Sequence, residues 1–306
     1  MIGKGTFPLL RLVAGSLLLF FISTGTVHAA GPAASGSQPL LARYASIKPK
    51  LEKNQFGAPI HLESAESQGA VRVDMYGVVN YPFDQVKEAL QSPDAWCDIA
   101  PLHINIKACT YRKGAQSQLT LYSGRKNYQP PADAYPLTLR FRVVSEQPEY
   151  LELALTADEG PFRTRDHRIG LEAAPLDSRR TFLHFSYAYT HGPMARMAIK
   201  TYFATIGRDK VGFSVVGGKD GKLYYIEGVR GAIERNTVRY YLALQTYLDA
   251  LKSPEDRRFE QRLSRWYDLT AKYPRQLKEL DKPDYLANKR REHANQITWQ
   301  KGEGSQ

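Results

Sequence analysis

A chain of 306 residues with 42 Lys and Arg against 31 Asp and Glu carries a formal net charge of +11, and 42% of it is apolar. That is material for one large domain, and beyond the N-terminal segment no stretch of about eighteen apolar residues is available to span a membrane. The basic residues are mostly interleaved with acids, and no helix-turn-helix, zinc-finger or RNA-recognition pattern accompanies them, so nucleic acid is not an expected partner.

The chain opens with Lys4 and Arg11, an apolar run from Leu12 to Ile22, and Val27-His28-Ala29, small residues that suit a signal peptidase. Residues 1–29 are therefore expected to be a cleaved signal peptide and the product a soluble periplasmic or secreted protein; an uncleaved anchor is the alternative. No cysteine near the cut offers itself for lipid attachment. "AAGPAASGSQP" is built of small residues that bury little surface, and residues 30–40 read as a flexible leader.

"VRVDMYGVVNYP" is rich in β-branched and aromatic residues and predicts a strand closed by Pro82. Phe83, Val86 and Leu90 then recur at helical spacing, and a second short helix fits Asp94 to His103. Cys97 and Cys109 are the only cysteines. In an oxidising compartment such a pair reads as a disulfide, stabilising by about 3 kcal/mol in the chain-entropy model. With His103 as the one nearby histidine, the pair lacks the fourth ligand of a structural zinc site, and neither metal nor cofactor is expected.

From residue 104 the sequence becomes a succession of strands: "INIKACTYR", "QLTLYS", "PLTLRFRVV", "YLELALTA", "RTRDHRIGLEA" and "RTFLHFSYAYT". Leu137, Leu139, Phe141 and Val143 share one face, as do Leu151, Leu153 and Leu155, and Leu183, Phe185, Tyr187 and Tyr189. Gly192-Pro193 ends the last strand, after which Met194, Met197, Ala198, Tyr202 and Ile206 fall on one helical face. A helix over 194–216 is thus expected to lie across the apolar side of the meander. Beyond it, "GGKDGKLYYIEGVRGAIERN" reads as a hairpin or extended loop and "NTVRYYLALQTYLDAL" as a helix. Another helix opens at Ser253-Pro254 and carries Phe259, Leu263, Trp266 and Thr270 in one stripe.

The order of these elements, with "YPFDQVKEALQSPDAW" near the start, "AWCDIAPLHINIKAC" after it and a long helix behind the last strand, resembles the START-related (SRPBCC) superfamily of lipid-transfer domains and polyketide aromatase/cyclases. The resemblance covers roughly residues 71–218 and carries no catalytic motif. It implies an α+β helix-grip fold: a curved antiparallel sheet wrapped around a long helix, here with extra C-terminal helices. The expected organisation is a START-like domain over 41–252 and a helical extension over 253–306. The resemblance also implies a cavity between sheet and helix.

For such a cavity the candidate ligand-binding residues are Phe141, Arg165, His167, Tyr187, Tyr189, Met194, Met197 and Tyr202. The methionines supply an adaptable apolar surface and the tyrosines a ring with a polar tip. The same stripe also suits plain core packing. Arg163, Arg165 and His167 share strand parity and, on the cavity side, would hold a carboxylate or phosphate headgroup; on the outer side they are a solvated edge. No G-x-S-x-G elbow or H-E-x-x-H pair is present, and "GGKDGK" lacks the spacing of a phosphate loop.

Three functions compete. The first is an exported binding or transfer protein for a lipid or other hydrophobic small molecule, with peripheral contact to anionic membranes. The second is a cyclase or hydratase using His167, Arg165, Tyr187 and Tyr189. The third is a cell-envelope interaction protein with a vestigial cavity, for which exposed apolar surface around Leu263 and Trp266 would be the mark.

Overall fold

Strand β2 (Ala70–Val79) alternates Val71, Val73, Met75 and Val79 inward with Arg72 and Asp74 outward. It is followed by helices α2 (Phe83–Leu90) and α3 (Pro93–Ile99) and then by six strands, β3 (Ile106–Arg112), β4 (Gln118–Ser123), β5 (Tyr135–Gln147), β6 (Tyr150–Glu159), β7 (Thr164–Pro175) and β8 (Thr181–His191). The structure, a computed structural model, describes residues 36–193, 196–197 and 210–303. The signal peptide expected over 1–29 lies outside the described residues.

The six strands form an antiparallel meander, β8 pairs with β2, and a further strand, β1 (Ile60–Ser67), pairs with the far side of β2. The eight-stranded order is β1-β2-β8-β7-β6-β5-β4-β3. With a long helix across its inner face, this is the helix-grip arrangement. The expected inner-face residues hold except Val143, which is 41% exposed beside an irregularity in the β5–β6 pairing that upsets the alternation.

Among the described residues the helix that lies on the inner face is a later one than the helix expected over 194–216. Residues 215–219 are strand β9 (Val215–Lys219), which pairs with β10 (Lys222–Tyr225) in a separate hairpin, so no helix runs to residue 216; most of the expected helix lies outside the described residues. Among the described residues the inner face is covered by α4 (Gly228–Ala250), whose Val238, Tyr241, Leu242 and Leu248 join the core. Its seat is Gly77 of β2, where an added Cβ would come within 1.7 Å of the Tyr241 hydroxyl. At the start of α4, Glu234 accepts the backbone N–H groups of Phe213 (2.7 Å) and Ser214 (2.9 Å), tying the hairpin base to the helix.

The outer face has a cover too. Helix α1 (Ser37–Glu52) begins inside the stretch expected to be leader, and Leu40, Ile47 and Leu51 pack on Tyr76, Tyr150, Ala174 and Phe182.

The C-terminal helices α5 (Glu255–Ala271), α6 (Pro274–Leu277) and α7 (Lys282–Glu303) pack within the same compact unit. Leu263 and Trp266 are 1% and 2% exposed, and the Trp266 indole N–H donates to the Arg239 carbonyl at 3.0 Å. The exposed apolar surface that would have marked an interaction protein is not found at these two residues, because α5 turns them toward its neighbouring helices. The cysteines pair as expected, with Cα atoms 5.0 Å apart.

Helix α7 closes the β3 edge of the sheet, where unpaired backbone groups would otherwise be exposed. Gln296 accepts from Cys109 N–H (2.8 Å) and donates to the Cys97 carbonyl (3.0 Å); one turn on, Gln300 accepts from Tyr111 N–H (2.8 Å) and donates to its carbonyl (2.9 Å). Two turns back, the buried ammonium groups of Lys107 and Lys289 share the Glu292 carboxylate at 2.8 and 2.7 Å. Burial pulls both lysines below the ordinary range, with the carboxylate opposing the shift. The basic run Asn288–His293 is thereby largely absorbed: Lys289 is buried, Arg290 pairs with Glu260, and Arg291 lies over the Tyr128 ring.

Two outcomes follow from this packing. Gly77→Ala lowers stability by about 1–3 kcal/mol in urea denaturation, and Tyr241→Phe in the same chain recovers part of the loss. Glu292→Gln leaves two buried ammonium groups without a counter-charge and costs about 3–5 kcal/mol by the same measurement.

Candidate functional site

Cross-strand register sets the candidate residues in rows on the inner face. Phe141 opposes Leu155, Leu155 opposes Ile169, Ile169 opposes Tyr187, and Tyr187 opposes Val73. Phe141 and Tyr187 therefore share a row but are separated by two strands. Tyr187 and Tyr189 pack against the cluster formed by Val71, Val73 and, from α4, Ile233.

Strand β7 enters this face through a bulge. Asp166 has φ 54° and the register with β8 shifts between Arg165 and Arg168. Alternation is therefore broken: Thr164 and His167 are buried and Arg165 is exposed, while Arg163 belongs to the turn before the strand. The expectation that Arg163, Arg165 and His167 share one face fails because the bulge inserts a residue.

His167 lies at the centre of a directed chain of hydrogen bonds. The Thr164 hydroxyl donates to the Pro161 carbonyl at 2.6 Å, so its oxygen accepts from His167 Nε2–H at 2.9 Å. Nδ1 is left to accept from the Tyr187 hydroxyl at 3.2 Å. The imidazole stacks on the Tyr189 ring with centroids 5.4 Å apart. Burial pushes the imidazole down to about 4, against a smaller pull from Asp166. Burial also raises Tyr187 well above its ordinary range and Tyr189 to about 12.

Two spaces are lined by neighbours of these residues, Ile169 in one and Arg165, Thr190 and His191 in the other. Deeper in, Trp96, Leu139, Leu155, Ile169, Phe185 and Tyr240 enclose an apolar void of about 20 Å³. That is room for about one water, where a drug-sized guest needs some hundreds of Å³. Among the described residues, then, the interior is close to filled, and the wide cavity implied by the resemblance is not present. At the strand ends a second hollow, about 380 Å³ and open to solvent, is lined by Gln68, Gly69, Arg163, Arg165, Thr190 and His191. The His191 side chain is wholly buried, 3.7 Å from Glu66, and neither ring nitrogen has a hydrogen-bond partner.

Of the eight candidates, the fold brings His167, Tyr187 and Tyr189 together, with Arg165 on the neighbouring hollow. Phe141 is buried farther along the sheet. Met197 is 71% exposed, so it does not face the interior as expected, and Met194 and Tyr202 lie outside the described residues. Thr164 and His191 were not anticipated. His191 was legible, since it continues the alternation of Tyr187 and Tyr189; Thr164 was not, because its position depends on the bulge. Among the described residues no group of three or more His, Cys, Asp or Glu side chains is placed to hold a metal ion.

No family model and no curated protein matches the sequence. Among solved structures the chain is similar to human StAR-related lipid transfer protein 5, at 11% identity and a TM-score of 0.36 over 71% of this chain and 100% of that one. It is also similar to the Zhui aromatase/cyclase from Streptomyces sp. R1128, at 14% identity and a TM-score of 0.32 over 68% of this chain and 94% of that one. A norcoclaurine synthase point mutant from Thalictrum stands at 9% identity and 0.34, over 47% of this chain and 91% of that one. These likenesses are weak, and the fold assignment rests on the strand order and helix placement described above.

The two sheet faces give histidines of opposite behaviour. On the outer face His184 is buried, which opposes its charge, but hydrogen bonds to Asp74 (2.8 Å) and Glu172 (2.6 Å) outweigh this and raise its pKa. In an NMR titration His184 loses its proton above 6.5 and His167 near 4. His167 has a folded value below its unfolded one, so its contribution is intact above pH 6.5 and falls by about 3 kcal/mol as the pH drops to 4. His184 acts in the reverse sense, its contribution present below pH 6.5 and lost as the pH rises through its raised value. His167→Phe removes this share of the loss between pH 6.5 and 4 in denaturation measurements.

Proposed function

We propose that this chain is an exported binding or transfer protein for a hydrophobic small molecule or lipid with a polar, anionic headgroup. The observation that carries the proposal is the open hollow beside Arg163 and Arg165, which meets at His191 the buried Tyr187–His167–Tyr189 cluster of the inner face. A carboxylate or phosphate in the hollow would receive charge-assisted hydrogen bonds from the arginines. The apolar part would enter along the tyrosine rings, displacing side chains to enlarge the small void behind them. Export is supported by the N-terminal sequence pattern and by the disulfide, which suits an oxidising compartment.

Binding is favoured over acid–base catalysis by the electrostatics of the cluster. His167 is held down to about 4 and Tyr187 well above its ordinary value, so at neutral pH neither is poised to exchange a proton with a substrate. A neutral imidazole and a protonated phenol are instead a fixed acceptor–donor pair.

The test is native mass spectrometry of protein purified without detergent, together with titration of a fluorescent fatty acid. The expected result is a bound amphiphile and saturable uptake that Arg165→Ala and Tyr189→Ala weaken. Absence of bound lipid, with no uptake of the fatty acid or of a fluorescent sterol, would overturn the proposal.

A further inference from the structure

The β9–β10 hairpin stands apart from the main sheet and holds four of the ten large apolar side chains that are exposed among the described residues. They are Val215, Val216, Leu223 and Tyr224, each 46–56% exposed. A two-stranded ribbon alone is marginal, but this one is fixed at its base. Gly212 N–H donates to the Ile226 carbonyl (2.6 Å), Ile226 N–H to the Ser214 carbonyl (2.8 Å), and Glu234 holds Phe213 and Ser214 from the helix. The turn carries Lys219 and Lys222, both exposed, with Asp220 between them. Val215 and Leu223 also form one wall of an open groove of about 570 Å³ whose other lining includes Lys50, Lys53 and Arg230. The one carboxylate in that lining, Glu63, is already engaged by Arg43, His61 and Lys50.

Apolar side chains with a tyrosine among them, ringed by lysines, match the water–lipid boundary of an anionic membrane. A second copy of this chain is a poorer fit, because it brings the same excess of basic residues to the contact. No helix among the described residues is long and apolar enough to cross a membrane.

We infer that the β9–β10 hairpin and the basic groove beside it form a docking surface for anionic lipid bilayers. This surface is distinct from the interior cluster, and its test separates from the one above.

The test is cosedimentation with vesicles of phosphatidylcholine alone and of phosphatidylcholine with phosphatidylglycerol. The chain is expected to sediment with the anionic vesicles, to stay in solution with the neutral ones, and to be released by high salt. Val216→Asp with Leu223→Asp abolishes sedimentation. Lys219→Ala with Lys222→Ala lowers vesicle partitioning about twenty-five-fold at low salt, at about fivefold per lysine. Both variants change exposed positions, so far-UV circular dichroism and the thermal midpoint stay unchanged, as does fatty-acid uptake measured without vesicles. Three results would overturn the inference: no sedimentation with anionic vesicles, sedimentation unaltered in both variants, or a dimer dissolved by Leu223→Asp in a chain that ignores vesicles.

Discussion

The approach of helix α4 to strand β2 sets the geometry of the interior. With no side chain at Gly77, the Tyr241 ring stands directly on the strand, and the helix lies close enough for Val238, Leu242 and Leu248 to meet the inner face. Protein interiors are packed to crystal density, so a displacement at this point would propagate along the helix. The next layer depends on the same placement, since Trp266 of α5 donates to the backbone of α4 at Arg239. So does the candidate site, where Ile233 of α4 joins Val71 and Val73 in the cluster against which Tyr187 and Tyr189 pack.

An open sheet also has edges, and at β3 a helix supplies what a neighbouring strand would have given. Gln296 and Gln300 are one turn apart on α7 and each carries a donor and an acceptor, so successive turns can satisfy successive exposed backbone groups. The buried Lys107–Glu292–Lys289 cluster fixes the helix in register by filling its own hydrogen-bonding needs with the carbonyls of His103, Ile104, Ile106 and Asn127. Such a cluster is weak evidence for stability, because desolvation opposes it, but it is demanding of geometry.

Much of the fold was legible. The six strands of the meander, the strand before them and the two short helices follow from alternation and helical spacing in residues such as Leu151, Leu153 and Leu155, or Phe83, Val86 and Leu90. The start of the covering helix α4 was less legible. The Met and aromatic stripe after Pro193 has the stronger helical pattern, while the first turns of α4 contain Gly228, Gly231 and the charged Glu234 and Arg235, which read as loop. Tertiary contacts decide otherwise: Gly231 lies where an added Cβ would come within 2.8 Å of the Ile226 carbonyl, and Glu234 is satisfied by backbone N–H groups far away in sequence. In the site, Tyr187 and Tyr189 were legible from period two, whereas the separation of Arg165 from His167 was not, because a bulge at Asp166 leaves no mark in the alternation. The strand β1 and helix α1 escaped notice because "IHLESAES" is largely polar and α1 has only a narrow apolar stripe.

The functional reading rests on a gradient along the inner face, apolar from Leu139 to Phe185 and polar-aromatic from His167 to His191, that ends at a cationic hollow. An amphiphile is the guest such a gradient would orient. The most direct measurement is paramagnetic broadening of the NMR signals by a spin-labelled fatty acid. The account predicts broadening at His167, Tyr187 and Tyr189 with the outer-face residues Tyr76 and Tyr150 untouched. Broadening confined to the outer face, or none anywhere in the chain, would contradict it.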